Sequence, residues 1–177
     1  MVVQLTSAAK HDHYLLKEVH LPKDSTLAMD RGYIDIAQFQ RLTDEGVCYV
    51  TRMKKNLKYE VLKSVTYVNQ EGLVTHVDQN VLFTRGELTH EARKVEIFYE
   101  NKKSVVLLSN NFDFSVEDIS EIYRLRWAIE SLYKQLKQNF PLHFFYGDSV
   151  NAIQIQTWVV LIANLLITVL SRSIKRN

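Results

Sequence analysis

Residues 26–53, TLAMDRGYIDIAQFQRLTDEGVCYVTRM, carry the pattern that decides the fold. Thr26–Met29 reads as a short apolar strand that ends at Asp30, and Gly32 then permits a tight turn. Ile34, Ile36, Ala37, Phe39 and Leu42 recur at helical spacing as far as Gly46, a natural helix stop. Val47–Met53 returns to an apolar run and reads as a second strand. Upstream, Val2–Thr6 suggests another strand, and Tyr14, Leu15, Leu16 and Val19 a helix that Pro22 ends. Alternating strands and helices predict a layered α/β domain.

Downstream the character changes. Between Leu57 and Asn110 the residues are β-branched and aromatic, with strands expected over Val61–Val68, Val74–Phe83, Lys94–Tyr99 and Ser104–Leu108. Turn residues part them at Asn69–Gly72, Arg85–Glu87 and Glu100–Lys102. Ser115, followed by Glu117 and Asp118, suits the start of a helix that can run to about Phe140, before Pro141. A last helix is expected over Ser149–Lys175. The chain thus divides into residues 1–56, a β-rich insertion over 57–112, and a helical part over 113–177.

Composition narrows the class. With 46% hydrophobic residues, 24% charged residues, 5 Gly and 2 Pro among 177, the chain is globular, not disordered or collagen-like. A net charge of +2 says little about partners, but two basic runs stand out: Arg52, Lys54, Lys55 and Lys58, then Arg124, Arg126, Lys134 and Lys137. The first run taken alone reads as solvated surface charge. Cys48 is the single cysteine, which excludes an internal disulfide or a multi-cysteine zinc site, and its apolar neighbours suggest a buried, inert thiol. Met1–Lys10 does not read as a secretory signal. Trp158–Leu170 is strongly apolar but too short to span a bilayer, so a buried helix and no membrane partner are expected.

In the helix expected from Ser115, the residues Tyr123, Arg126, Glu130 and Lys137 fall within about 60° of one another at about 100° per residue. Ile122, Leu125, Ile129, Leu132 and Leu136 lie to one side and would bury. A polar stripe at the rim of a packed face can be a working surface or merely a solvated one. Two features favour work: cations crowd Glu130, and Asp30 ends a strand of an α/β sheet, where such sheets place functional groups.

The spacing Tyr123-x2-Arg126-x3-Glu130-x6-Lys137 resembles the Y-x2-R-x3-E-x6-K motif of bacterial insertion-sequence transposases of the DDE class. Asp30-Arg31-Gly32-Tyr33-Ile34-Asp35 is similar to the D-x-G-Y-x-D stretch around that family's second aspartate. The resemblance runs from about Ala9 to the C-terminus. It implies an α/β fold: a partial ribonuclease-H-like domain with a β-rich insertion and long C-terminal helices. By the same resemblance Asp30 and Glu130 would be catalytic and would ligate metal, two Mg²⁺ or Mn²⁺ ions in the intact enzyme. Tyr123, Arg126 and Lys137 would contact DNA, the partner at transposon ends and targets, in a cytoplasmic, nucleoid-bound protein. Asp35 would be a structural acid. Relatives hold a flipped base on an aromatic residue of the insertion; Trp127 and Trp158 lie outside it, and Tyr67, Phe83, Phe98 and Tyr99 are expected in the core.

The family's first aspartate lies on the opening strand, upstream of the Asp30 motif. Asp12 and Asp24, the aspartates before Asp30, do not end apolar strands. The expectation is a catalytic-domain fragment that begins inside the domain, without its first two strands, and so holds metal weakly. The alternative is an inactive DNA-binding or dimerising remnant that inhibits an intact transposase. Loss of the opening strand would leave the Thr26 strand with a bare edge, which invites pairing between chains. Self-association or low stability is therefore expected; a monomeric sample by light scattering that melts cooperatively in calorimetry would contradict it.

Overall fold

The computed structural model describes residues 13–99, 103–140, 146–147 and 149–174. Among the described residues two compact units are formed, one from residues 13–126 and one from residue 127 onward. In the first unit, α1 (His13–Glu18) leads to β1 (Thr26–Met29), a short 3-10 turn (Arg31–Tyr33) and α2 (Ile36–Asp44). There follow β2 (Cys48–Arg52), β3 (Glu60–Val68), β4 (Val74–Arg85), β5 (Leu88–Phe98), β6 (Ser104–Ser109) and α3 (Val116–Leu125). The second unit holds α4 (Trp127–Asn139) and α5 (Val150–Ile174).

A single six-stranded sheet runs in the order β1-β2-β6-β5-β4-β3. β1 and β2 pair in parallel, with Thr26 opposite Cys48 and Met29 opposite Thr51; the other pairings are antiparallel. The expected β-rich strands are present and continue the sheet of the α/β part, since β6 pairs with β2 on one side and β5 on the other. β5 begins earlier than Lys94, the start expected for it, because its first half lies in register against β4 from Arg85–Leu88 onward. The sequence expectations at Val2–Thr6, Asp12 and Glu100–Lys102 lie outside the described residues.

Adjacent residues of a strand point to opposite faces, so β2 assigns the two layers. Tyr49 packs with Phe39 and Leu42 of α2 and with Phe83, Ala92 and Leu108 of the sheet. Val50, its neighbour, packs instead with Val95, Leu107 and Ile119 of α3. The helices α2 and α3 therefore cover opposite faces, with Tyr49 and Val50 both fully buried between them. α2 folds here because Ile36, Phe39 and Leu42 share one face and because Asp35 caps its first turn. It ends at Gly46, whose φ of +70° suits glycine, and an added Cβ there would lie 2.9 Å from Lys23 Cγ.

Several expectations are corrected. The helix from Ser115 is not continuous to Phe140: a turn at Arg126, whose N–H donates to the Tyr123 carbonyl at 3.2 Å, separates α3 from α4. No Gly or Pro marks that break in the sequence. Leu136 buries as expected, but Leu125 and Ile129, on either side of the turn, are exposed. Cys48 is half-buried and accepts a contact from Asn111 Nδ2 at 3.4 Å. Phe83 is in the core, whereas Tyr67, Phe98 and Tyr99 are exposed. They miss the core because β3 and the outer end of the sheet have no covering helix among the described residues.

α5 forms where the last helix is expected, Val150–Ile174 against Ser149–Lys175, but it is mostly exposed and not buried; Val160 and Asn164 are its buried residues. By length and composition alone it would suffice to cross a membrane, with 25 residues and an 18-residue stretch of mean hydropathy 1.9. Only α4 accompanies it in the described part of its unit, and a single neighbour covers a single stripe.

A titratable network lies in the core. The Tyr49 hydroxyl lies 2.7 Å from His90 Nε2, and His90 Nδ1 lies 2.9 Å from Gln40 Oε1. Burial pushes the His90 pKa from 6.5 down to about 4, partly opposed by the charge of Asp44, and burial raises the Tyr49 phenol above its ordinary range. Folding thus favours the neutral imidazole, while an unfolded chain would take up a proton below its ordinary pKa. His90 leaves stability undiminished above pH 6.5 and erodes it as pH falls toward 4. Urea midpoints measured across that range should show a loss of roughly 2 kcal/mol from this residue, flattened in His90→Gln.

Candidate functional site

Asp30 is placed by β1. Parallel pairing of Met29 with Thr51 brings the ends of β1 and β2 together, so Asp30 and Arg52 leave the sheet side by side. The chain then turns through Arg31–Tyr33, with the Tyr33 N–H donating to the Asp30 carbonyl at 3.1 Å. The Asp30 side chain makes no capping hydrogen bond, and no other hydrogen bond engages its carboxylate among the described residues. Asp35 behaves differently: its Oδ1 accepts from the N–H groups of Ala37 at 3.0 Å and Gln38 at 3.4 Å. Of the two acids in the motif, one holds a helix and the other is uncommitted.

Tyr123 and Arg126 are placed by α3. Ser115 caps this helix in a reciprocal box with Asp118, whose carboxylate is held below its usual range by the hydrogen bonds from Ser115. The loop before Ser115 is itself fixed. Arg93 reaches from β5 to grip the Asp78 carboxylate at 2.7–3.1 Å through two nitrogens, and its third nitrogen donates to the Phe112 and Phe114 carbonyls. β6 starts at the end of the sheet where β2 finishes, so α3, entered from the far end of β6, runs back toward the Asp30 end. Tyr123 packs against the core cluster under α3, and the Arg126 guanidinium lies 5.3 Å above its ring. Stacking of this kind holds a guanidinium in a set orientation.

Glu130 and Lys137 belong to α4, in the other unit. Both are exposed, and seven positions along one helix puts them on the same face, about 20° apart. The stripe expected from one continuous helix is therefore two local pairs: Tyr123 with Arg126, and Glu130 with Lys137. Among the described residues no group of three or more His, Cys, Asp or Glu is assembled for a metal ion. The donor chemistry at Asp30 nonetheless suits a hard cation, being an uncommitted carboxylate oxygen beside a strand end.

The Arg93–Asp78 lock escaped the sequence reading. An arginine and an aspartate in separate strands signal nothing until the register aligns those strands, and Asp78 stands opposite Val95, two residues from Arg93. Urea denaturation separates the two motif acids. Asp35→Ala should cost about 1 kcal/mol through loss of the cap, while Asp30→Asn should stay within about 0.5 kcal/mol of the parent. Equal losses would make Asp30 a structural acid.

The profile of the family described as "Transposase DDE domain" matches residues 1–166. A Synechocystis sp. protein named "Putative transposase for insertion sequence element IS4SA" is 33% identical over 150 residues, covering 84% of this chain and 42% of that protein. The "Probable transposase for insertion sequence element IS5377" of Geobacillus stearothermophilus is 26% identical over 164 residues, 92% of this chain and 43% of its own length. The "Putative transposase y4zB" of Sinorhizobium fredii is 23% identical over 176 residues, 97% of this chain and 49% of its own. The chain thus spans less than half the length of these curated relatives. No solved structure matches it.

Proposed function

The chain belongs to the DDE transposase family of insertion sequences, and from that premise we propose that it supplies Asp30 and Glu130 to a site that cleaves DNA at element ends and joins them to target DNA. The observation that carries this reading is the uncommitted carboxylate of Asp30 at the end of β1, in a chain whose other motif acid, Asp35, is spent on a helix cap. Residues 1–56 and 113–177 would form the catalytic core and residues 57–112 its β-rich insertion.

Asp30 and Glu130 are the residues that would hold Mg²⁺ or Mn²⁺, two ions in the whole enzyme, with any further ligand coming from elsewhere. Bound there, the ions would stabilise the attacking and leaving oxygens of an in-line displacement at phosphorus. Hydrolysis of one phosphodiester frees a 3′-hydroxyl at the element end. That hydroxyl then attacks a target phosphodiester, whose own 3′-oxygen leaves. Arg126, oriented by the Tyr123 ring, would pair with phosphate oxygens through two N–H groups, and Lys137 would act as a point charge. The work is to be expected in the cytoplasm, on the nucleoid.

A second role is favoured by the edge of β1, whose one strand partner among the described residues is β2. A bare parallel edge is a template for another strand, so self-association, as in a complex pairing two element ends or in an inhibitory remnant, accompanies the catalytic reading.

The decisive assay is metal-dependent cleavage of duplex DNA ending in the element's terminal repeat, by a family-length transposase containing this chain. Asp30→Asn and Glu130→Gln should each lower the rate by at least about a hundredfold, while Asp35→Asn retains most of it. Undiminished cleavage by either of the first two variants would remove that residue from the site.

A further inference from the structure

On the face of the sheet that α2 covers, a notch of about 280 Å³ opens between the β2–β3 connection and the end of β4. Its apolar lining is Ile36, Leu57 and Phe83, and its polar lining is Asn56, Lys58, Thr84 and Arg85. Lys58 and Arg85 are exposed, and neither has a hydrogen-bond or ion-pair partner among the described residues. Arg52 and Lys55 are likewise exposed and Lys54 is half-buried, none with a side-chain partner among the described residues, and the three lead along the connection from the strand end beside Asp30 toward the notch. No acid lines it, and Asp35, next to Ile36, has its carboxylate turned to the N–H groups of α2.

Uncommitted cations cost nothing to leave in water, so their exposure alone proves little. Their arrangement is more informative. Two cations line the same concave notch as three apolar side chains, an amide and a hydroxyl. A phosphate needs the first feature and a deoxyribose the second, so the combination matches one repeat of a nucleic-acid backbone. A free anion would gain nothing from the apolar floor, and an apolar ligand would gain nothing from the cations.

We propose that this notch seats the phosphodiester backbone of a DNA strand, with Lys58 and Arg85 on one phosphate and the sugar against Leu57. The basic run Arg52–Lys58 then forms a track that carries the strand between the notch and the Asp30 end of the sheet. This inference rests on the DNA-acting reading above but assigns a contact surface remote from the Tyr123–Lys137 motif. It also gives the first basic run a purpose beyond solubility.

The test is fluorescence anisotropy of a labelled duplex of arbitrary sequence bound to the full chain over a range of salt. Lys58→Gln with Arg85→Gln should weaken binding about tenfold and reduce the salt slope by about one, since the phosphate they share contributes about 0.9. Lys63→Gln, a change of exposed charge on β3, should alter affinity by less than about twofold. Unchanged binding in the double variant, or an equal loss per charge in Lys63→Gln, would overturn the notch while leaving DNA binding intact. No binding by the parent chain would overturn the notch and the DNA-acting reading together. Inorganic phosphate at matched ionic strength should not displace the duplex; displacement would assign the notch to a small anion instead. All variants are compared after thermal melts confirm the parent fold.

Discussion

Everything in the first unit depends on β2 being buried on both faces. Tyr49 and Val50 are successive residues with no exposure, and they can be buried together only if helices cover both sides of the sheet. Phe39 answers Tyr49 from α2, the rings stacked at 4.2 Å, and Ile119 answers Val50 from α3. Burying such side chains stabilises by about 1.5–3 kcal/mol each, enough to decide where each helix must lie. Once α2 and α3 are on opposite faces, the remaining topology follows. β1 and β2 run parallel, β6 runs against them, and α3, entered from the far end of β6, runs back toward the end where β1 finishes.

The uncommitted carboxylate of Asp30 sits at that end. Deeper in the unit, polar groups are satisfied in pairs, Tyr49 with His90, His90 with Gln40 and Arg93 with Asp78, while the buried Thr51 hydroxyl has no hydrogen-bond partner among the described residues. An unpaired polar group in the interior would cost far more than one at the rim, so chemistry that needs a bare carboxylate has to sit at a strand end. Arg93 shows how the two parts of the sheet cooperate. Its side chain is nearly buried, its charge is answered by Asp78, and its remaining N–H groups hold the carbonyls that lead into Ser115. The outer strands thereby fix the start of α3, and through it the Tyr123–Arg126 pair.

The apolar surface left over is informative about assembly. β3 is exposed along its length, but two register irregularities and Lys63 blunt its edge, the usual protection against indiscriminate pairing. β1 carries neither device, and α5 presents Leu165, Leu166, Val169 and Leu170 to solvent. The family match extends through residue 166, so most of this apolar helix, though not its last turns, lies within the matched domain.

Local patterning was enough to determine most elements. Thr26–Met29 ends where its apolar run ends, Ser115 caps its helix through a box legible as Ser-x-x-Asp, and the strands of the middle third follow their β-branched runs. The spacing of Tyr123, Arg126, Glu130 and Lys137, with the Asp30 stretch, was also sufficient to indicate the family. The sequence could not reveal the break at Arg126, because the backbone there stays in the helical region and no breaker residue marks it. Nor could it reveal that Asp35 and Asp30 have opposite tasks, that Arg93 reaches Asp78, or that Lys58 and Arg85 share a notch. Those facts depend on which strands lie side by side, and strand register is settled by the summed burial of distant residues, which no local window of sequence contains.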